Sequence, residues 1–166
     1  MAPLLRKEFD IVDAKLVNPF IDAFISVMPQ IGFPTPKRGK VFLQNKNITS
    51  FGVIVMIGFT RQLRGNVVYN MSEDTAKFIA STMMMGMPIA DFDEMAQSAI
   101  SEMSNMLAAN SATNLTSLDL NVDISPPSMT IGKDTIIVLC DSQYLTVEMD
   151  LGGHKVDIAV AVDRNS

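Results

Sequence analysis

Residues 92–115 contain neither proline nor glycine, and neither breaker appears again until the pair Pro126 and Pro127. So long an uninterrupted stretch reads as one helix, opened by Asp91 and Asp93, where the helix dipole favours acids. Within it Ala96, Ile100, Met103, Met106 and Leu107 recur at three- and four-residue steps and gather on one broad side. A chain holding this element must fold so that another apolar surface covers that side.

Strand-like segments on both flanks can supply that surface. Upstream they lie at 41–43, 52–60 and 65–70, with 61–64 turning the second into the third. Downstream they lie at 118–124, 135–140, 144–151 and 155–162. The pair Gly152 and Gly153 forms a two-residue hairpin turn between the last two. Val147, Met149 and Leu151, then Val156, Ile158, Val160 and Val162, alternate as in a sheet with one buried face.

Two more helices are expected. One covers 13–28, with Leu16, Val17, Phe20, Ile21, Phe24, Ile25 and Met28 on one face. Pro19 sits in its first turn if Asn18 is the cap, or kinks it if Asp13 is the cap. The other covers 73–85, started by Ser72, Glu73 and Asp74 and ended by Gly86 and Pro88. The order is an α+β fold, a largely antiparallel sheet packed against long helices, in one domain spanning 1–166. The two halves are loosely alike, helix then strands, without a repeated residue motif.

Composition narrows the chemistry. Apolar residues make up 48% and charged residues 19%, which suits a folded globular chain. The apolar run 51–59 is far below the roughly 20 residues of a membrane-spanning helix. Residues 1–13 lack the pattern of a signal peptide, so a cytoplasmic protein with no membrane partner is expected. The net charge of -5 with scattered basic residues disfavours nucleic acid. Lys37, Arg38 and Lys40 read as a solvated loop among prolines and glycines. One cysteine, Cys140, excludes a disulfide framework within the chain and reads as a buried structural thiol. One histidine, His154, excludes multi-histidine metal sites and the usual Ser/His/Asp arrangement. Met83, Met84, Met85 and Met87 read as adaptable core filler rather than the lining of a ligand pocket.

Away from the apolar side of the long helix, Ser98, Glu102 and Asn105 stand at i, i+4 and i+7 and form a polar stripe. Ala109 continues it, Ser101 and Ala108 flank it, and Gln97 is expected on exposed surface outside it. By pattern alone the stripe is the ordinary solvent face of an amphipathic helix. A carboxylate and a carboxamide one turn apart can also serve hydrolysis, because a carboxamide both donates and accepts hydrogen bonds and can hold a water in line with phosphorus.

The segment Ser98 to Asn105, SAISEMSN, resembles the D/S-x-x-x-E-x-x-N signature of the CheC, CheX and FliY phosphatases, with Pro126 and Pro127 near the proline that closes it. RGNVVYNMSEDTAKFIASTMMMGM, DEMAQSAISEMSNMLAAN and VDISPPSMTIG are similar to the CheX branch in content and order. Val17 and Phe20 occupy the first-helix positions where CheC proteins carry a second Glu and Asn. Ser101 stands where a glycine often precedes the glutamate, and the proline spacing from Asn105 is shorter than usual.

The resemblance implies a CheC-like fold and a phosphatase for the aspartyl phosphate of a CheY-like response regulator. It implies Glu102 docking on the receiver's lysine and Asn105 orienting the attacking water, with Ser98, Pro126 and Pro127 in support. It further implies no cofactor or metal in this chain, Mg2+ supplied by the receiver, and a homodimer joined through the sheet. The alternative is a non-catalytic receiver-binding or flagellar-switch module of the same fold.

Overall fold

The computed structural model describes residues 14–165. Helix α1 (Ala14–Gln30) is followed by β1 (Lys37–Thr49), β2 (Gly52–Arg61), β3 (Leu63–Ser72), α2 (Glu73–Met83) and α3 (Glu94–Thr116). Then come β4 (Val122–Ile124), β5 (Ser128–Ile131), β6 (Ile136–Leu151) and β7 (His154–Arg164). The strands make one antiparallel sheet in the order β1-β6-β7-β3-β2, with β4 and β5 both pairing along the far side of β2. This is the expected α+β architecture, an antiparallel sheet packed against long helices.

The period-two pattern sets which face is covered. Val55, Tyr69, Ile158 and Val147 lie opposite one another across β2, β3, β7 and β6. With their neighbours they pack against Phe20, Phe24, Ile79, Ile100, Met103 and Leu107 of the three helices. Phe20 meets Phe59 edge-on, with ring centroids 5.2 Å apart. The alternate positions Ile54, Val68 and Ala159 form a second cluster on the opposite face, closed by Tyr144, Ile48 and Leu139. The last two arrive because the β1–β6 ribbon slips register between Asn45 and Asn47. Tyr144 Oη donates to the Asn47 carbonyl at 2.6 Å, fastening that ribbon.

Several expectations change. The first helix runs unbroken through Pro19, so Asn18 is not its cap, and Asp13 lies outside the described residues, as does the segment 1–13. The short strand expected at 41–43 is thirteen residues long and includes Lys37, Arg38, Gly39 and Lys40. Pairing with β6 through backbone hydrogen bonds, rather than side-chain pattern, makes it a strand. The segments 135–140 and 144–151 are one strand, β6, whose extra residues form a bulge. Only 122–124 of the segment 118–124 pairs, and β5 had no counterpart in the expectation. The hairpin turn at Gly152 and Gly153 is as expected, with φ of 60° and 90°, which suit glycine. Cys140 is half-buried, with Sγ 3.5 Å from the Ser142 carbonyl, rather than deep in the core. His154 stacks flat on Phe78 at 3.9 Å, a packing role.

The face turned away from these three helices holds one anomaly. Asp157 is 4% exposed and its Oδ1 has no hydrogen-bond partner. Its cross-strand neighbours are Glu148 on β6 and Asn70 on β3. The Asn70 amide is already spent on the Thr49 carbonyl and the Phe51 N–H. Burial pushes the Asp157 carboxyl up to about 6. Lys155, 3.9 Å away, pulls it partly down, and Glu148 adds to the rise. Folded chains therefore keep a proton that unfolded chains have released, so stability falls as pH rises through roughly 4 to 6 and stays lower above. Asp157→Asn is expected to flatten this dependence and to raise stability near pH 7 by up to about 3 kcal/mol, as read from urea unfolding at pH 4.5 and 7.5.

Candidate functional site

Helix α3 is fixed before it presents anything. Asp93 caps it, Oδ1 accepting from the Ala96 N–H at 3.0 Å. Ala80 on α2 meets Ala96 and Ala99 on α3, small side chains that let the two helices approach closely. At the other end the Asn114 amide donates to the Pro19 carbonyl of α1 at 2.9 Å. Ile100, Met103 and Leu107 are fully buried over the sheet, and the buried Tyr69 of β3 meets Ser111. Ser104 and Ser111 face inward and satisfy their hydroxyls on the Ile100 and Leu107 carbonyls.

On the opposite side Ser98, Glu102 and Asn105 are exposed, as their spacing requires. Among the described residues neither Glu102 nor Asn105 has a hydrogen-bond or ion-pair partner within the chain. They border an open groove of about 620 Å³, lined by Glu94, Gln97, Ser98, Ser101, Glu102, Asn105 and Met129. The structure thus brings together Ser98, Glu102 and Asn105. Ala108 is buried and flanks nothing, whereas Gln97 joins the groove, its Nε2 donating to the Phe92 carbonyl.

Pro126 and Pro127 do not line the groove. They form the connection from β4 to β5, where Ser125 Oγ accepts from the Gly58 N–H at 2.7 Å and donates to the Pro126 carbonyl. This turn returns the chain along β2, so that Met129 lies opposite Val55, on the helix-bearing face. Met129 and Glu94 were absent from the sequence reading. The alternation in Ser128-Met129-Thr130-Ile131 after two prolines was the available signal.

Three side chains that can act on a reacting group, one acid, one amide and one hydroxyl, sit in a row with free polar atoms. Among the described residues no group of three or more His, Cys, Asp or Glu could hold a metal ion, and no helix is long and apolar enough to cross a membrane. The arrangement can bind and orient, and it suits a partner that brings its own electrophile. A second groove, of about 320 Å³, lies between the β6 bulge and the ends of β3 and β7, beside Cys140 and Arg64, and contains none of these residues.

The model of the family "Chemotaxis phosphatase CheX" matches residues 53–150. The CheY-P phosphatase CheX of Thermotoga maritima is 34% identical over 123 residues, 74% of this chain and 79% of that protein. A CheC-like superfamily protein from Shewanella superposes with a TM-score of 0.80 at 22% identity, covering 91% of this chain and 99% of its own. The CheX in a CheX-CheY-BeF3-Mg2+ complex from Borrelia burgdorferi superposes with a TM-score of 0.76 at 27% identity, covering 89% and 97%.

The two sides of α3 should respond oppositely to truncation. Asn105→Ala is expected to change unfolding stability by no more than about 0.5 kcal/mol, since the position is exposed. Met103→Ala is expected to cost about 2–5 kcal/mol by leaving a cavity. Chemical denaturation of both variants measures the contrast.

Proposed function

Because the chain belongs to the CheX family of chemotaxis phosphatases, we propose that it hydrolyses the aspartyl phosphate of a CheY-like receiver domain, using Glu102 and Asn105. It is a phosphatase, and hence a hydrolase. The substrate assignment is supported by the Thermotoga maritima relative, a CheY-P phosphatase, and by the Borrelia burgdorferi complex with CheY. The residue assignment rests on one observation. Glu102 and Asn105 are exposed, without internal partners, one turn apart on a helix whose other side is locked into the core.

An aspartyl phosphate needs little new covalent chemistry. Water attacks phosphorus in line, the P–O bond to the aspartyl carboxylate breaks, and inorganic phosphate leaves. What the phosphatase adds is position. The Asn105 carboxamide can accept from the water and donate to the phosphoryl group at once. Glu102 pairs with the receiver's lysine, setting the depth at which Asn105 enters. Ser98 lines the same groove, and Pro126 and Pro127 act at a distance by placing β5. Mg2+ belongs to the receiver in this reading, and the site of action is the cytoplasm, where receivers are phosphorylated.

The reading includes a homodimer joined through the sheet. Strand β1 is a long edge strand with no strand beyond it among the described residues, and its Val41 and Leu43 are about half exposed. An open apolar edge of this kind favours pairing with a second copy.

Four measurements test this. Asn105→Ala is expected to lower the saturating rate of phosphoryl loss on the order of 100-fold, or to the spontaneous rate, with binding retained. Glu102→Ala is expected to weaken both complex formation and rate. If Asn105→Ala matches the parent on every phosphorylated receiver tested, the stripe is only a solvent face. Receiver binding should tighten when the receiver carries beryllofluoride and Mg2+, and equal affinity for bare and activated receivers would point instead to a docking module. Light scattering at micromolar concentration should give twice the 18.1 kDa chain mass, and a monomeric mass removes the dimer.

A further inference from the structure

The methionines expected to fill the core do not all do so. Met83 and Met84 are half-buried, but Met85 is 98% exposed and Met87 52%. Met95, in the first turn of α3, is 59% exposed. These side chains cover no core, and a soluble surface seldom displays large apolar groups together without use.

The loop that carries them is built, not loose. The Gly86 N–H donates to the Ser81 carbonyl at 2.8 Å, and Ser81 Oγ donates to the Met87 carbonyl at 2.7 Å. The Met85 N–H donates to the Thr82 carbonyl. Met85 is held at a φ of 60°, a left-handed conformation uncommon for a residue other than glycine. Between this loop and α3 runs a cleft of about 190 Å³ lined by Met84, Met87, Ile89 and Met95 and by the acids Asp91 and Asp93.

Position relates this patch to the site. Met95, Ser98, Glu102 and Asn105 stand at i, i+3, i+7 and i+10, one line along the exposed side of α3. Met95 is therefore about 10 Å from Glu102 along the helix axis. A standard interface covers about 800 Å² on each partner, roughly 30 Å across, so a domain seated over Glu102 and Asn105 reaches Met95 as well. Beyond Asn105 in the other direction the line offers only Ala109 and Thr113. Along α3, large apolar side chains on this line thus lie on the loop side of the polar pair.

We propose that Met87 and Met95, which line the cleft, together with the exposed Met85 of the same loop, form the apolar anchor of the receiver-docking surface, taking an aliphatic or aromatic side chain of the receiver into the cleft. This deepens the function proposed above and rests on it. Unbranched thioether side chains adapt to the shape they receive, so the anchor binds while Glu102 and Asn105 select the phosphorylated form. The exposed acids Asp91 and Glu94 call for a lysine or arginine beside the receiver's apolar group.

The test uses the full chain carrying both Met85→Asn and Met95→Gln. Asparagine accepts the left-handed backbone and glutamine keeps helix propensity, so folding is preserved, as circular dichroism and thermal unfolding will verify. Titration against the beryllofluoride- and Mg2+-bound receiver should show affinity at least tenfold weaker. In dephosphorylation KM should rise similarly while the saturating rate stays within about twofold, the reverse of Asn105→Ala. Unchanged affinity in the folded double variant overturns the anchor, whatever the rate. A variant that changes the mass of the free chain, with affinity intact, assigns the patch to contact between copies and also overturns it. A parent chain that binds the activated receiver tightly without speeding its decay overturns the phosphatase reading alone, and the titration still decides the anchor.

Discussion

The burial of one side of α3 is the constraint on which the rest depends. Ile100, Met103 and Leu107 are inaccessible to solvent over a sheet face made of Val55, Ile57, Tyr69 and Ile158. A helix gripped in this way cannot rotate about its axis without exposing them, at a cost of about 1.5–3 kcal/mol for each large side chain. The opposite side is thereby fixed toward solvent. A carboxylate and a carboxamide placed there are presented at a set angle without any loop to order on binding, which is what catalysis by positioning needs.

The second face of the sheet follows a different logic. Among the described residues no helix covers it, and the register slip of the β1–β6 ribbon brings Ile48 and Leu139 over Ile54, Val68 and Ala159. That closure leaves the Asp157 carboxylate in a low-dielectric strip where, among the described residues, Lys155 is the cation near enough to offset its charge. The site face has no comparable strain. Glu102 and Asn105 are exposed and unpartnered there, while the buried Ser104 and Ser111 hydroxyls of α3 donate to the Ile100 and Leu107 carbonyls of the same helix.

In the function proposed, side chains left without partners inside the chain do the external work. Glu102 and Asn105 form no internal contacts through their polar atoms, and Met85 packs on nothing. Polar atoms that leave water for a partner regain hydrogen bonds only with the correct partner, which gives selectivity. Apolar area gains from removal from water whoever supplies it, which gives affinity. As proposed, the stripe on α3 and the methionines beside it divide these two tasks.

The sequence by itself determined what its local periodicities encode. The uninterrupted run through α3, with Ile100, Met103 and Leu107 on one side and Ser98, Glu102 and Asn105 on the other, is legible because both sets obey a 3.6-residue period. The β6–β7 hairpin is legible because Gly152 and Gly153 interrupt a clean alternation. Tertiary structure decided the rest. The length of β1 arises from backbone pairing with β6, which its polar side chains do not announce. Strand β5, and with it Met129, takes shape only because β2 offers a free edge, and the cleft shared by Met87 and Met95 forms only where the α2–α3 loop meets α3. Each of these depends on residues far apart in the chain, and a pattern read along one segment contains no term for the neighbour that completes it.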